Sequence, residues 1–264
     1  MSQLLKQRIK RTLPVRIRPY ASRLSARGRN VADRISRLPN LVRPKIFCIS
    51  VQRTGTTSVG KFFLRHDYDV AYYPIAYRND WKSLWFNGQY EQIFRSEDFR
   101  LHQVFEDSPW WYPRFYRMLF HRFPRSKFIL FTRDPDRWFN SMVNHSDGKN
   151  LGNAYVHASI YRRDSEFYRK YDGTPNVYSN VKDKLMDIKD HRDHYIDFYT
   201  TRNRKAIDFF EYNDPSRLIH CRLEDEDKWQ RLGDFFGIDV SPTFAVHANA
   251  SDRDGVVEEH TTAQ

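Results

Sequence analysis

A chain of 264 residues, 40% hydrophobic and 16% aromatic, is long enough for one large domain with its own core, and no apolar run approaches the roughly 20 residues of a membrane span. Its two cysteines, Cys48 and Cys221, are too few for a disulfide framework and fall in strand-like segments, which favours reduced core thiols and a cytoplasmic setting. The formal charge of +11 resides in residues 1–43, which hold twelve Lys or Arg and one acid, Asp33; the rest is neutral, and no specific nucleic-acid partner is expected.

Two units are therefore expected: a basic arm over 1–43 and a single domain over 44–264. Leu4, Leu5, Ile9 and Leu13, set among the bases before Pro14, suit a short amphipathic helix lying on an anionic membrane surface, peripheral to it. A solvated tail, a nucleic-acid arm and an organelle transit segment remain alternatives. Pro39 and Pro44 bracket the junction.

The first strand signal runs from Lys45 to Val51 and stops at Gln52-Arg53-Thr54-Gly55-Thr56-Thr57-Ser58, after which a helix is predicted to about Arg65. A buried strand that empties into such a loop and then into a helix makes an anion site. The first helical N–H groups have no intrahelical partners, the helix dipole favours negative charge, and hydroxyls add donors. The loop has neither the Gly-Lys-Ser/Thr ending of a nucleoside-triphosphate loop nor the three glycines of a dinucleotide fingerprint. Read alone, it is equally a strand-to-helix turn capped by Thr and Ser.

Downstream, a helix is predicted over 79–98, a strand from Arg100 to Phe105 ending at Glu106-Asp107-Ser108-Pro109, and a helix from Trp110 to Phe123. A second buried strand, Lys127 to Thr132, ends at Arg133-Asp134-Pro135 and leads into a helix to about Asn144, with Pro at its first position. More helix follows over 155–171 and from Lys182 to Glu211, then a strand over Arg217 to Leu223 and a helix over 226–236 stopped by Gly237. Strands separated by helices predict an α/β fold of three layers, with a central, mainly parallel sheet flanked by helices. In such sheets ligands bind beyond the carboxyl ends of the strands.

Taken together, the three strand exits resemble those of the sulfotransferases that use 3′-phosphoadenosine 5′-phosphosulfate, over about residues 45 to 250. Arg53, Thr54, Gly55, Thr56 and Thr57 match in order the family's 5′-phosphosulfate loop, with Ser58 next to it, and Arg133 and Ser141 have the spacing of its 3′-phosphate motif. The resemblance implies a P-loop-like nucleotide-binding architecture, that nucleotide as co-substrate without a metal, and an acceptor that is a carbohydrate, a lipid or a small molecule. Arg53 stands where most relatives carry Lys; a guanidinium keeps the charge but is a poor proton donor. For the catalytic base, one alignment nominates Asp107 and another Glu106, and Asp107 is favoured. Alternatives are a P-loop nucleotide kinase and a non-catalytic nucleotide-binding, membrane or nucleic-acid adaptor on the same fold.

Overall fold

The computed structural model describes residues 34–150, 154–170 and 186–246. The basic arm up to residue 33, with its amphipathic-helix reading, lies outside the described residues. The chain forms β1 (Ile46–Cys48), α1 (Thr56–Arg65), β2 (Val70–Ala71), α2 (Tyr73–Arg78), α3 (Trp81–Phe86), α4 (Tyr90–Arg95) and α5 (Glu97–Leu101). It continues through β3 (Val104–Phe105), α6 (Phe115–Arg122), β4 (Lys127–Thr132), α7 (Pro135–His145), α8 (Ala154–Tyr161) and α9 (Asp164–Lys170). The last elements are α10 (Arg192–Asn213), β5 (Leu218–Arg222) and α11 (Lys228–Phe236).

The sheet order is β2-β3-β1-β4-β5, and every pairing is parallel. Because β1 is central and its connection runs to the opposite side from that of β4, the crevice between their carboxyl ends is a topological switch point. Alternation along the strands splits the core in two. One face buries Ile46, Cys48, Ile129 and Phe131 against Val59, Phe62 and Phe63 of α1 and Trp229 and Leu232 of α11. The other buries Phe47, Phe105, Phe128 and Leu130 against Trp81, Phe94, Phe115 and Phe210. This is the three-layer α/β, P-loop-like arrangement. A third cluster, including Val51, Trp138, Tyr161 and Tyr199, sits above the carboxyl edge and walls off the crevice. Both cysteines are free thiols in the core, and burial pushes Cys48 up to about 12 and Cys221 up to about 11.

Several boundaries differ from the sequence reading. The helix expected over 79–98 is three pieces, because Asp80 and Gly88 take left-handed conformations (φ 49° and 70°) and Ser96 caps a new helix by accepting from Phe99 N at 3.3 Å. The first two residues of the strand expected over 100–105 are therefore helix, and only Val104 and Phe105 join the sheet. Left-handed Arg114 delays α6 to Phe115, and left-handed Arg162 divides α8 from α9. The long helix starts at Arg192 rather than 182, after a short 3-10 turn, Lys189–His191. Residues 37–43 pack on the domain: Arg37 Nε lies 3.1 Å from Asp69 Oδ1, and buried Asn40 donates to Asp69 and to Leu101 O. Among the described residues no helix is long and apolar enough to cross a membrane.

Candidate active site

The β1 exit is held open by its backbone. Arg53 and Gly55 both have positive φ (69° and 85°), and the Thr54 hydroxyl, fully buried, donates to Val51 O at 2.6 Å, so Thr54 serves the loop and not the crevice. Gly55 has a second reason to lack a side chain, since a Cβ there would stand 2.7 Å from Leu223 Cδ1. The N-cap of α1, Gly55, has no side chain to cap the helix, and Thr56, Thr57 and Ser58 of the first turn lie at the crevice rim. The helix dipole adds positive potential at the same point.

The β4 exit supplies the facing wall. Asp134 accepts from Arg137 N at 3.0 Å and Pro135 opens α7. Arg137, Asn140, Ser141 and Asn144 then recur at helical spacing toward the crevice, with Trp138, Phe139 and Met142 buried behind them. Arg53 Nε donates to Ser141 Oγ at 3.2 Å, which joins the two exits. Arg133 lines the same space; its Nε lies 3.6 Å from Glu224 Oε1, and its backbone N donates to Tyr199 OH at 2.7 Å. Burial, and then the charge of Arg133, lowers the pKa of Arg53, as expected of two guanidiniums gathered in one cleft. His145 is likewise lowered, by burial and then by Arg53.

The β3 exit carries the carboxylates, and they diverge. Asp107, left-handed at φ 68°, lines the cleft and takes Ser108 N on its Oδ1 at 2.7 Å. Burial raises its pKa, opposed by the Ser108 N–H and by the charge of Lys82. Glu106 is 4% exposed and tucks under α1, its Cγ 3.2 Å from where a Cβ on Gly60 would stand. Burial, then the charge of Asp107, pushes it up to about 8, so at neutral pH it is mostly protonated.

Three helices contribute groups that no motif marks. Lys82 of α3 lies on the cleft wall with Asp107, and burial lowers its pKa against the pull of Asp107 and Asp80. From α8 come Tyr161, whose hydroxyl accepts from Gln52 Nε2 at 3.0 Å, and buried His157. Tyr195 OH lies 2.7 Å from His157 Nε2 and 2.7 Å from Arg163 Nη1. Because a guanidinium only donates, the phenol proton is directed to His157 Nε2, which leaves the imidazole neutral with its proton on Nδ1. Burial, and then Arg163 and Lys82, lowers its pKa to about 3. A lone His within an otherwise apolar helix was the one sequence signal available for this group. The whole cleft measures about 1250 Å³, above the size of common small-ligand sites, so it has room for two reactants.

A cleft with arginines at two adjacent strand exits, an uncapped helix terminus and a carboxylate at the third exit fits transfer of an anionic group. A family model described as a sulfotransferase domain matches residues 45–253. The chain belongs to this sulfotransferase family. The match begins one residue before β1 and contains every element that lines the cleft. Among solved structures, that of a sulfotransferase from Alicyclobacillus acidocaldarius is similar at 12% identity, over 80% of this chain and 86% of that chain, with a TM-score of 0.44. No curated protein matches. Family membership makes the chain an enzyme, and the cleft at the switch point of its sheet is the candidate active site of this sulfotransferase.

Proposed function

We propose that this sulfotransferase binds 3′-phosphoadenosine 5′-phosphosulfate across the β1 and β4 exits and moves its sulfuryl group in line to a hydroxyl or amine of an acceptor. The hydrogen bond from Arg53 to Ser141 carries the reading, because it brings the 5′-side loop and the 3′-side helix within reach of one nucleotide. The residues fit that guest. Arg53 has no carboxylate partner in the described residues, and the positive end of the α1 dipole lies at the same rim, with Thr56, Thr57 and Ser58 lining it. Arg133 and Ser141 are the groups for the 3′-phosphate.

In the transfer step the bond from sulfur to the phosphate oxygen breaks as the bond to the acceptor oxygen or nitrogen forms. Arg53 and the α1 terminus stabilise the charge that develops on the leaving phosphate, a role in which a fixed guanidinium substitutes for a metal ion. Asp107 accepts the acceptor's proton; its raised pKa brings it closer to that task than a solvated carboxylate, and Lys82 keeps its charged form accessible. Glu106, mostly protonated and packed under α1 beside Gly60, does not line the cleft. The acceptor occupies the end of the cleft near Asp107, walled by Tyr73, Trp111 and Tyr112, a surface suited to a carbohydrate, a lipid headgroup or a small aromatic molecule.

A screen with labelled sulfate on the donor, over those three acceptor classes, tests the proposal. Transfer to one class by the native chain and loss of that transfer in Asp107→Asn is the expected result. A chain that binds the nucleotide but transfers sulfate to none of the classes contradicts it.

A further inference from the structure

All three strand exits are fastened to one face of α10, through two residues that do not line the cleft. Arg202 is 6% exposed. Its Nη2 donates to Ile49 O at 2.6 Å, just after β1 and three residues before the anion loop, and to Trp111 O at 3.1 Å, four residues after Asp107; its Nη1 donates to Asn203 Oδ1 at 3.0 Å. Three residues earlier on the helix, Tyr199 accepts from Arg133 N at 2.7 Å and donates to Arg133 O at 3.1 Å, clasping the third exit. Its ring also stacks on Trp138 of α7, with centroids 4.2 Å apart and planes 11° apart.

We infer that Arg202 and Tyr199 form a clamp that sets the spacing of the anion loop, the Asp107 segment and Arg133, and so positions both ends of the nucleotide and the base. The inference rests on the proposed nucleotide site. Two features distinguish a positioning device from ordinary core packing. Each side chain hydrogen-bonds to main-chain atoms of an exit segment, so a shift of α10 moves the exits together. Arg202 is also a buried cation without a carboxylate among the described residues. The groups acting on it are the phenols of Tyr116, Tyr199 and Tyr161 and the Cys48 thiol, none of them a carboxylate. Burial lowers its pKa to about 10, which leaves it charged. Taking an unpaired charge out of water is costly, and what this one holds in exchange is the main chain of two exit segments, at Ile49 O and Trp111 O.

The clamp is tested in the full chain with Arg202→Gln, Arg202→Lys and Tyr199→Phe, using two probes, adenosine 3′,5′-bisphosphate and adenosine 5′-phosphate. R202Q is expected to weaken both probes by about tenfold or more, and R202K to recover part of the loss. Y199F is expected to shrink the affinity difference between the probes, because only the bisphosphate uses Arg133. Amide hydrogen exchange without nucleotide should speed up over residues 50–54 and 107–111 in R202Q or R202K, and over 133–137 in Y199F. If native-like exchange and affinities within twofold of the native chain persist in R202K and Y199F, the clamp is wrong, whether or not R202Q folds. If the native chain binds neither probe while exchange responds as described, the clamp stands and the nucleotide reading fails.

Discussion

Arg53 Nε and Ser141 Oγ, 88 positions apart in sequence, are joined by a 3.2 Å hydrogen bond across the mouth of the cleft. The bond ties the loop after β1 to the helix after β4 and leaves the rest of the Arg53 guanidinium directed at the space between them. A hydrogen bond to a charged group contributes about 1.5–3 kcal/mol. Ser141→Ala should therefore weaken adenosine 3′,5′-bisphosphate binding by roughly tenfold, and adenosine 5′-phosphate by much less. Equal losses for the two, measured by calorimetry, would show that Ser141 only orders Arg53.

The two carboxylates should separate cleanly. Asp107→Asn is expected to leave nucleotide affinity unchanged and to lower turnover by about 10²–10⁴, the usual worth of a general base. Glu106→Gln, which replaces a mostly protonated carboxyl by a neutral one, should keep most of the turnover. The reverse pattern in steady-state rates would move the base to Glu106.

Stability should depend on these buried groups in opposite directions. Glu106 is raised from 4.5 to about 8 in the fold, so the folded state holds a proton that the unfolded state loses first. Its contribution is complete below about pH 4.5 and is lost as pH rises through about 8. His157 is lowered from 6.5 to about 3, so its contribution is complete above about pH 6.5 and is lost as pH falls toward 3. Melting temperature against pH should thus fall less steeply between pH 5 and 8 in E106Q, and less steeply between pH 6.5 and 3 in His157→Gln. Unchanged slopes would mean that these groups titrate normally.

Gly55→Ala is expected to cost about 1–2 kcal/mol from the left-handed backbone alone, with more from the contact with Leu223 Cδ1 at 2.7 Å. Adding Leu223→Ala should relieve the contact but not the backbone term, so the double variant recovers only part of the melting temperature. Full recovery would show that the conformation of the loop is not enforced.

How much of this was readable in the sequence follows from where each group sits. That Arg53, Gly55, Asp107 and Arg133 share one cleft is legible because each lies at or just beyond a strand end, and strand ends on one edge of a parallel sheet converge; Ser141 joins them from within α7, one face of which lines the cleft. The strands β1 and β4 were equally plain, as apolar runs ending in polar turns. Lys82, His157, Tyr195 and Arg202 were not, because they come from helices whose approach to the cleft depends on packing and not on any local pattern. The helix expected over 79–98 breaks for a related reason: Asp can adopt either helical or left-handed backbone, and Asp80 takes the latter just before Trp81 enters the core. Sequence spacing also could not assign sides to Glu106 and Asp107, since left-handed Asp107 re-aims its own side chain.

In the proposed reaction two strand exits of this sulfotransferase grip a nucleotide carrying phosphate at both its 3′ and 5′ ends, with arginine in place of a metal. Isothermal calorimetry of adenosine 3′,5′-bisphosphate on the full chain, with and without magnesium, tests it most directly. The predicted result is one site, occupied equally tightly in the presence of a chelator, and weakened by about tenfold or more in Arg133→Ala. Binding that appears only with magnesium, or none at all, would contradict it.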